Sequence, residues 1–447
     1  MRVTGRTAAT IAASLEHSLH TRKRGAGEPL PTVRGLATTL GVSPATVAAA
    51  YKLLRARGFV AGQGRQGTRV ASGAVAPAAA PPAVPAGTID LATGNPDPDL
   101  LPPLQPAMHA IESELRLYGS PPDGGSLAAF AATEFEADGI SARSVAVLSG
   151  AMDAVERILR EHLRAGDRVA IEDPSFPGLI DLVSASGYTA VPVALDEEGP
   201  LPDAVAAALA QGCGAIIVTP RAQNPTGAAI SVERAAELRR VLRQFPHVVL
   251  IENDYAGPVA GAPVHTLRAV SHKVSHKSSH KASRDRWAVV RSTSKFLGPD
   301  LRVAVMAGDD MTVARVRGRQ ALGARWVSHV LQQLALALWS DPSSGRRLAR
   351  AGEIYAQRRN AALAALRAHG VEARGRSGFN VWVPLPDEAH LVRALAERGW
   401  AVAAGERFRV QSAPGIRVTI STLQPADAER FAGDLADALR PARAGFA

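Results

Sequence analysis

The chain has 447 residues, which is more than one hydrophobic core normally organises and predicts roughly three folding units. Its 46% hydrophobic and 21% charged residues are typical of a globular protein, and the single cysteine, Cys213, excludes a disulfide framework and a cysteine-rich zinc or iron–sulfur site. Of the net charge of +10, most is carried by residues 1–72, which hold 11 basic and 2 acidic side chains. A basic segment joined to a nearly neutral body predicts a nucleic-acid-binding module.

The same composition predicts where the protein works. One cysteine fits a reducing compartment. No stretch of the sequence approaches the ~18 uninterrupted apolar residues of a membrane span, and the N-terminus lacks the apolar core of a signal peptide. We therefore expect a cytoplasmic protein with no membrane association and no bound metal.

Two short helices follow an amphipathic stretch at residues 8–20. Thr32 can cap a helix that runs to Leu40, and Ser43 can cap a second helix with Pro44 at its first position. Gly41 provides the tight turn between them, and two helices joined in this way form a helix-turn-helix. The second helix would then present its N-terminal end to the major groove of DNA.

The glycine-rich run GQGRQGTRV follows the second helix and predicts a hairpin wing, lined by Arg65 and Arg69, that reaches phosphates or a minor groove. Residues 30–70 resemble the winged helix of GntR-type bacterial transcription regulators in the stretches LPTVRGLA, LGVSPATV and AYKLLRARGFV and in the wing. The resemblance implies binding to double-stranded DNA. Its implied DNA contacts are Arg34, Ser43, Thr46 and Arg65. A winged helix used only for protein contacts is the alternative, and the basic charge argues against it.

An uncharged Ala/Pro-rich segment at 71–88 predicts an extended linker, and beyond it strands alternate with helices. Strands are predicted at 145–148, 168–171, 190–195, 215–218, 248–251, 287–290 and 302–305, and helices at 151–164, 201–210 and 232–244. This alternation predicts a largely parallel sheet that is covered on both faces. Long helices are expected from about residue 310, followed by a smaller α+β region with strands at 380–383 and 416–421.

Residues 271–287 contain Ser-His-Lys three times. The spacing of histidine and lysine is compatible with a metal or anion site. Nothing hydrophobic anchors the segment, so we favour a solvated surface loop.

Five short motifs follow predicted strands of the body. They are SGAMDA (149–154), DPSFPG (173–178), QNPTG (223–227), ENDYAG (252–257) and STSKFLGPDLR (292–302). Loops at the carboxyl ends of parallel strands meet in the crevice where α/β proteins bind ligands. Within that set, a lysine beside serine hydroxyls and an arginine is suited to hold a phosphorylated aldehyde as a Schiff base.

The ordered motifs resemble those of fold-type I pyridoxal 5′-phosphate (PLP) aminotransferases over residues 89–440, and with the winged helix the whole chain resembles a MocR-type member of the GntR regulators. The resemblance implies a multidomain α/β protein: a winged helix and an aminotransferase-like body, with a large α/β domain containing a mostly parallel sheet and a small α+β domain. We place the boundaries at 1–72 for the winged helix, 73–88 for the linker, 89–330 for the large domain and 331–447 for the small domain. The family also implies a homodimer.

Residue roles follow from the resemblance, motif by motif. Lys295 would form the Schiff base with PLP, and Phe176 would stack on its pyridine ring. The implied phosphate ligands are Gly150, Ala151, Ser292, Ser294 and Arg302. The implied partners of the phenolic oxygen are Asn224 and Tyr255. Arg417 would bind the carboxylate of an effector, and Tyr118 would reach the phosphate in the partner subunit.

One motif departs from the family pattern. Where the family usually has Glu-Asp-Asp, this chain has Glu252, Asn253 and Asp254, and the family's first Asp pairs with the pyridine nitrogen. A neutral amide keeps that nitrogen protonated poorly. Either Asp254 takes the role after a small shift, or the ring stays less electrophilic, which favours a sensor over an enzyme.

The sequence therefore predicts a DNA-binding transcriptional regulator that binds PLP and senses an amino compound or PLP itself. The alternative is a catalytically active PLP-dependent aminotransferase with an accessory DNA-binding arm. A third interpretation, a PLP-free remnant with a DNA-binding head, would leave Lys295 without a role.

Overall fold

The computed structural model describes residues 3–21, 28–56, 60–62, 68–70, 84, 87–111, 117–118, 126–268 and 286–440. The chain forms two compact units, one built chiefly from Met1–Ala80 and the other from residues beyond them. Most of the predicted linker and the Ser-His-Lys segment lie outside the described residues. None of the helices described is long and apolar enough to cross a membrane.

The N-terminal unit has the predicted helix-turn-helix. Its elements are α1 (Ala8–Thr21), α2 (Val33–Leu40), α3 (Pro44–Ala56), β1 (Val60–Gly62) and β2 (Thr68–Val70). The Thr32 hydroxyl accepts from Gly35 N at 3.1 Å and begins α2, and Gly41, with φ 65°, ends it. Ser43 Oγ accepts from Thr46 N at 3.1 Å at the start of α3. The turn and both caps are therefore confirmed.

A small apolar core holds this unit together. Its fully buried members come from α1 and α3 and are Ile11, Ala12, Leu15, Val47, Ala50 and Leu54. Tyr51 is also buried, and its hydroxyl donates to the carbonyl of Pro31 at 2.7 Å. Strands β1 and β2 pair antiparallel, with Val60 opposite Val70, as a wing requires. Arg65 lies outside the described residues.

Beyond residue 88 the strands are β3 (Ile89–Leu91), β4 (Ser144–Leu148), β5 (Arg168–Asp173), β6 (Thr189–Asp196), β7 (Gly199–Pro200), β8 (Cys213–Val218), β9 (Val249–Asp254), β10 (Trp287–Ser292), β11 (Ala304–Gly308), β12 (Asn380–Pro384), β13 (Trp400–Ala404) and β14 (Gly415–Thr419). The helices are α4 (Leu104–Ala110), α5 (Ser126–Ala137), α6 (Ala151–His162), α7 (Pro177–Ala185), α8 (Pro202–Ala210), α9 (Val232–Leu242), α10 (Asp310–Leu322), α11 (His329–Ser340), α12 (Pro342–Ala368), α13 (Glu388–Glu397) and α14 (Pro425–Leu439).

Within the described residues, eight strands form the large sheet in the order β4-β11-β10-β9-β8-β5-β6-β7. Strands β5, β8, β9 and β10 run parallel, whereas β11 is antiparallel to both of its neighbours. Every residue of β9 and β10 is buried, as strands covered on both faces require. The predicted strand 302–305 begins only at Ala304, because Arg302 has a left-handed φ of 50° after a short 3-10 turn.

The small sheet has the order β12-β14-β13-β3. Strand β3 pairs in parallel with β13, with Ile89 beside Trp400 and Leu91 beside Val402. The first strand after the linker therefore belongs to the small sheet, not to the large domain in which the sequence expectation placed it. The expected boundary at 330 falls inside α11. Strand β13 was not predicted, because WAVAA gives a weak strand pattern.

Candidate functional site

The register of the large sheet brings the predicted motifs to one edge. Leu148 at the end of β4 lies beside Ala304, which in turn lies beside Ser292 at the end of β10. The ends of β9 and β10 are also aligned, with Asp254 beside Arg291. The loops after β4, β8, β9 and β10 consequently open at the same edge of the sheet, where the sequence expectation placed a ligand.

Lys295 follows β10 by three residues and points at a segment that the sequence analysis did not single out. Its Nζ donates to the carbonyl oxygen of Gly94 at 2.8 Å. Burial lowers the pKa of Lys295 to about 8, and the positive charge of Arg417 contributes to the shift. A substantial neutral fraction near pH 8 gives this amine the nucleophilicity that a solvated lysine lacks.

The start of α6 and the neighbouring guanidinium of Arg302, here called the cradle, have the chemistry that suits an anion. Gly150 caps the helix with a φ of 103°, and no described side chain caps the N–H groups of its first turn, which begins with Ala151. A Cβ atom at Gly150 would lie 2.6 Å from Nη2 of Arg302, so the guanidinium occupies the space that a side chain would need. A helix N-terminus beside a guanidinium suits a phosphate.

Two serine hydroxyls lie where β10 ends, that of Ser292 in its last residue and that of Ser294 two residues later. Ser292 Oγ lies 3.1 Å from Ser294 Oγ and accepts from the backbone N–H of Ser294 at 3.2 Å. The structure thus brings the hydroxyl of Ser292 to that of Ser294, and the guanidinium of Arg302 to the backbone of Gly150. Hydroxyl, guanidinium and backbone N–H groups are the donors that suit a phosphate group.

Phe176 lies on the loop after β5, and hydrogen bonds at the end of that strand hold the loop in place. The carboxylate of Asp173 accepts from the backbone N–H groups of Val410, Gln411 and Ser412 at 2.7–2.8 Å. A Cβ atom at Gly178 would lie 2.6 Å from the Phe176 ring, so the ring packs against this glycine. Phe176 remains 40% exposed, which leaves ring surface free to stack on a planar ligand.

Asn224 and Tyr255 reach the same side of the site from neighbouring loops. Asn224 Oδ1 accepts from Nη1 of Arg417 at 3.3 Å. The Tyr255 hydroxyl donates to the carbonyl of Ala222 at 2.5 Å, and Nδ2 of Asn380 lies 3.5 Å from it. Burial raises the pKa of Tyr255, so its hydroxyl stays protonated and serves as a hydrogen-bond donor.

The two residues that precede Tyr255 lie on opposite faces of β9. Asp254 shares its face with Arg291, and Asn253 shares the other face with Val290 and, two residues further on, Ser292. Asn253 therefore faces the site. Its side chain is 7% exposed, and its Oδ1 has no hydrogen-bond partner among the described residues.

Asp254 is fully buried away from that face. Its Oδ1 accepts from Nε of Arg221 at 2.8 Å, and its Oδ2 accepts from Nη2 of Arg221 and from Nε of Arg291, both at 2.9 Å. The expectation that Asp254 binds the cofactor is therefore corrected, because strand alternation turns it away and two guanidinium groups occupy its oxygens. For Asp254 to pair with the pyridine nitrogen, as one of the two alternatives requires, its bonds to both guanidinium groups would have to break.

Arg417 lies in β14, between Trp382 of β12 and Ala403 of β13. Burial lowers the pKa of Arg417 to about 10. Its Nη2 donates to the carbonyl of Ala92, its Nε has no partner among the described residues, and its Cζ lies 4.9 Å from the centre of the Phe408 ring. Among the described residues no carboxylate is ion-paired with Arg417, and a buried guanidinium in that state suits an anionic group.

Several residues of the site were not predicted from the sequence. They are Ala92, Gly94, Arg221, Arg291, Asn380 and Phe408. Ala92 lies 325 residues from Arg417 and Gly94 lies 201 residues from Lys295, so no local pattern connects them. The stretch TGNPDP at 93–98 has the composition of a turn, and this was the only sequence feature that set the segment apart.

The remaining predicted residues make local contacts of their own. Tyr118 is 80% exposed, and its ring centre lies 5.7 Å from that of Trp326. In the N-terminal unit Arg34 is exposed on α2, and the hydroxyls of Ser43 and Thr46 lie 2.8 Å apart at the start of α3.

Two family descriptions match the chain. "Aminotransferase class I and II" matches residues 87–435, and "Bacterial regulatory proteins, gntR family" matches residues 7–70. Among curated relatives, the vitamin B6 salvage pathway transcriptional repressor PtsJ of Salmonella typhimurium is 39% identical over 98% of this chain and 99% of its own length. The pyridoxine biosynthesis transcriptional regulator PdxR of Corynebacterium glutamicum is 27% identical over 55% of this chain and 56% of its own.

Solved structures that resemble this fold include aminotransferases. An archaeal alanine:glyoxylate aminotransferase superposes with a TM-score of 0.69 at 22% identity, covering 79% of this chain and 90% of its own. LysN, the α-aminoadipate aminotransferase of Thermus thermophilus, complexed with N-(5′-phosphopyridoxyl)-L-leucine, gives 0.67 at 24% identity over 79% and 92%. At this level of identity the likeness concerns the fold.

Proposed function

The chain belongs to the MocR-type regulators, in which a GntR-family winged helix precedes an aminotransferase class I and II domain, and we propose that an amino acid bound beside its PLP changes its affinity for operator DNA. DNA binding and PLP are common to this family architecture. The proposal concerns three further points: which residues carry these properties in this chain, what the effector is, and how the chain assembles.

One observation carries the proposal. Lys295 and Arg417 converge on a single short segment, where they donate to carbonyls only two residues apart, Gly94 and Ala92. An amine that is partly neutral near pH 8 and a buried guanidinium without a carboxylate are thus held within one site. An amino acid presents the matching groups, an amine and a carboxylate.

The residues of the site fit PLP. When bound, PLP supplies an aldehyde that condenses with a primary amine with loss of water. We assign Lys295 as that amine, the phosphate to Gly150, Ala151, Ser292, Ser294 and Arg302, the ring to Phe176, and the phenolic oxygen to Asn224 and Tyr255. The fit rests on the open N–H groups of α6, the space that Arg302 fills beside Gly150 and the unpartnered oxygen of Asn253. Arg417 would hold the carboxylate of the amino acid.

Asn253 favours a regulator over an aminotransferase. A carboxylate at this position would keep a pyridine nitrogen protonated, and a neutral amide would not. The carboxylate that follows it in the chain, that of Asp254, is bound by Arg221 and Arg291 on the other face of β9. An unprotonated pyridine nitrogen would still allow an amino acid to bind. It would withdraw electrons from the ring less strongly, and that withdrawal is the main driving force for removal of the α-proton.

The N-terminal unit is the proposed DNA-binding surface. The exposed Arg34, the N-terminal end of α3 with Ser43 and Thr46, and the wing residue Arg65 would contact the duplex, with the recognition helix in the major groove. The excess positive charge of residues 1–72 supports this assignment.

A homodimer is part of the proposal. Leu117 and Tyr118 are 75% and 80% exposed, and Tyr118 adjoins Trp326, which is 39% exposed. Exposed aromatic and aliphatic side chains in contact indicate a surface that a second copy covers, and we propose that Tyr118 reaches the phosphate of the partner. Sedimentation of Tyr118→Asp would test this assembly, and a dimer as tight as the wild type would contradict it.

The proposed cofactor site is tested by visible absorption of the purified protein with added PLP. We expect a band that borohydride bleaches, with the reduced cofactor fixed to Lys295. Lys295→Ala should lack the fixed cofactor, and Lys52→Ala, which removes a lysine from the N-terminal unit, should retain it. Equal fixation in Lys295→Ala and wild type would contradict the assignment.

A further inference from the structure

Residues 405–415, here called the arm, join β13 to β14, the strand that carries Arg417. A carboxylate at the start of α13 fixes both ends of the arm. Glu388 Oε2 accepts from Glu406 N at 2.6 Å, and Glu388 Oε1 accepts from Gly415 N at 2.9 Å. The ends of the arm are therefore bound to a helix that packs on its own sheet.

The middle of the arm is bound to a different part of the protein, the end of β5. Asp173 Oδ1 accepts from Val410 N at 2.8 Å and from the Ser412 hydroxyl at 2.9 Å. Asp173 Oδ2 accepts from Gln411 N at 2.7 Å and from Ser412 N at 2.8 Å. Asp173 is buried, so little water competes for these four bonds. The arm is thus attached to the strand end from which the Phe176 loop starts.

The arm also places an aromatic ring against the guanidinium of the site. The carbonyl of Phe408 accepts from Ser175 N at 2.7 Å, and the centre of its ring lies 4.9 Å from Cζ of Arg417. The same ring belongs to a buried cluster with Ala401 and Ala403 of β13. Contact with a ring face restricts the orientation of a guanidinium. A shift of the arm would therefore leave Arg417 free to reorient.

The loop that carries Phe176 has anchors of its own. Gln223 Nε2 donates to the carbonyl of Pro174 at 2.8 Å, and Leu179 N donates to the carbonyl of Phe176 at 2.9 Å. Neither bond involves the arm. Loss of the bonds between Asp173 and the arm would consequently disturb the guanidinium more than the stacking ring.

We propose that Asp173 is a positioning residue for the carboxylate of the effector: it holds the arm from the end of β5 and, through Phe408, orients Arg417. The proposal rests on the proposed function and adds a residue outside the assigned contacts. A carboxylate forms two parallel bonds with a guanidinium only when the two planes align. Asp173 therefore affects ligands that carry a carboxylate and has little effect on contacts to the ring and the phosphate.

The test compares two probes in the full-length protein, each measured by its competition with PLP. N-(5′-phosphopyridoxyl)glycine carries a carboxylate, and N-(5′-phosphopyridoxyl)glycinamide has the same ring, phosphate and shape without that charge. The ratio of the two affinities measures what the carboxylate gains at Arg417. We expect the wild type to prefer the glycine adduct. Equal binding of both probes by the wild type, or binding of neither, would overturn the proposed function and this inference with it.

Two variants then test the positioning role. Asp173→Asn keeps the shape of the side chain but replaces one acceptor oxygen with an NH₂ group. We expect its preference for the glycine adduct to fall about tenfold, as for the loss of one hydrogen bond to a charged group. Its affinity for the glycinamide adduct should stay near the wild-type value. Phe408→Leu removes the ring beside Arg417, leaves Asp173 in place and should lower the preference in the same way.

Asp309→Asn is the matched control. Asp309 also accepts from two backbone N–H groups, those of Trp287 and Thr312, both at 2.9 Å. Trp287 begins β10, at the opposite end of the strand from Ser292. The control should therefore keep the preference of the wild type. A preference that persists unchanged in Asp173→Asn or in Phe408→Leu would overturn the inference and leave the proposed function intact.

Discussion

Asp254 and Arg221 form a buried bidentate ion pair, with Oδ1 2.8 Å from Nε and Oδ2 2.9 Å from Nη2. Burial alone would raise the pKa of Asp254, yet Arg221 and Arg291 hold it well below its ordinary value. This carboxylate is committed to the interior of the large domain. Its neighbour Asn253 lies on the opposite face of β9, which we propose is the cofactor side, and this division leads to the first two predictions.

Asn253→Asp should make the bound cofactor more basic at its ring nitrogen. A carboxylate within hydrogen-bond reach favours the protonated nitrogen, so the midpoint of the cofactor's spectral pH titration should move up by about 1–3 pH units. Transfer of the amino group from added amino acids to a keto acid should rise with it. A titration curve that matches the wild type would show that Asn253 does not face the ring nitrogen.

Asp254→Asn should cost stability. It leaves Arg221 and Arg291 buried without their counter-charge, and breaking such a pair costs about 3–5 kcal/mol of unfolding free energy. A carboxyl whose pKa is lowered on folding contributes its stability above the unfolded pKa of about 3.9. Urea unfolding should therefore show the full difference between variant and wild type at neutral pH, and the difference should shrink as the pH falls below about 4. Asn253→Asp serves as the control at the adjacent position, and a loss in Asp254→Asn that persists undiminished in acid would contradict the ion-pair explanation.

The pH dependence of cofactor fixation should report the amine of Lys295. Because its pKa is lowered to about 8, about half of the amine is neutral and reactive at pH 8, and the neutral fraction levels off only about one to two pH units higher. Rates of PLP fixation measured from pH 6 to pH 10 by borohydride trapping should follow this curve. In Arg417→Gln the inflection should move to higher pH, since one of the charges that lower the pKa is removed. An inflection near 10.5 in the wild type would indicate a solvated amine.

Gly150→Ala should weaken the binding of phosphate. The new methyl group would meet Nη2 of Arg302 at 2.6 Å and push the guanidinium out of the cradle. Loss of one hydrogen bond to a charged group weakens affinity about tenfold to hundredfold. Gly139→Ala is the matched control, because Gly139 also has a positive φ, of 74°, and nothing lies within 4 Å of its added Cβ. Equal PLP affinities in the two variants, measured by titration, would remove Gly150 from the phosphate site.

Arg34→Ala should weaken DNA binding and reduce its dependence on salt. Each phosphate contact that is lost lowers the slope of log affinity against log salt by about one. Binding to a duplex of random sequence at several salt concentrations measures this slope. Arg350→Ala removes the same charge from α12 in the body of the protein, where Arg350 is exposed beside Glu353. A slope reduced equally by both variants would reflect net charge and not a contact at Arg34.

The sequence by itself determined the features that depend on neighbours along the chain. Thr32, Gly41 and Ser43 specify the helix-turn-helix through caps and a turn that involve only residues three or four apart. The short apolar runs of the body likewise specify strands, and the motifs that follow them lie at one edge of the sheet because parallel strands end on the same side.

Only the tertiary structure decided the contacts that close long loops. Strands β9 and β10 are buried on both faces. Their sequences therefore show no alternation of polar and apolar residues that would reveal on which face of β9 Asn253 lies. The bonds from Lys295 to Gly94 and from Arg417 to Ala92 join residues 201 and 325 positions apart. Such pairs depend on how the two sheets and the segment 92–94 meet in space, and no local pattern of residue types records that arrangement.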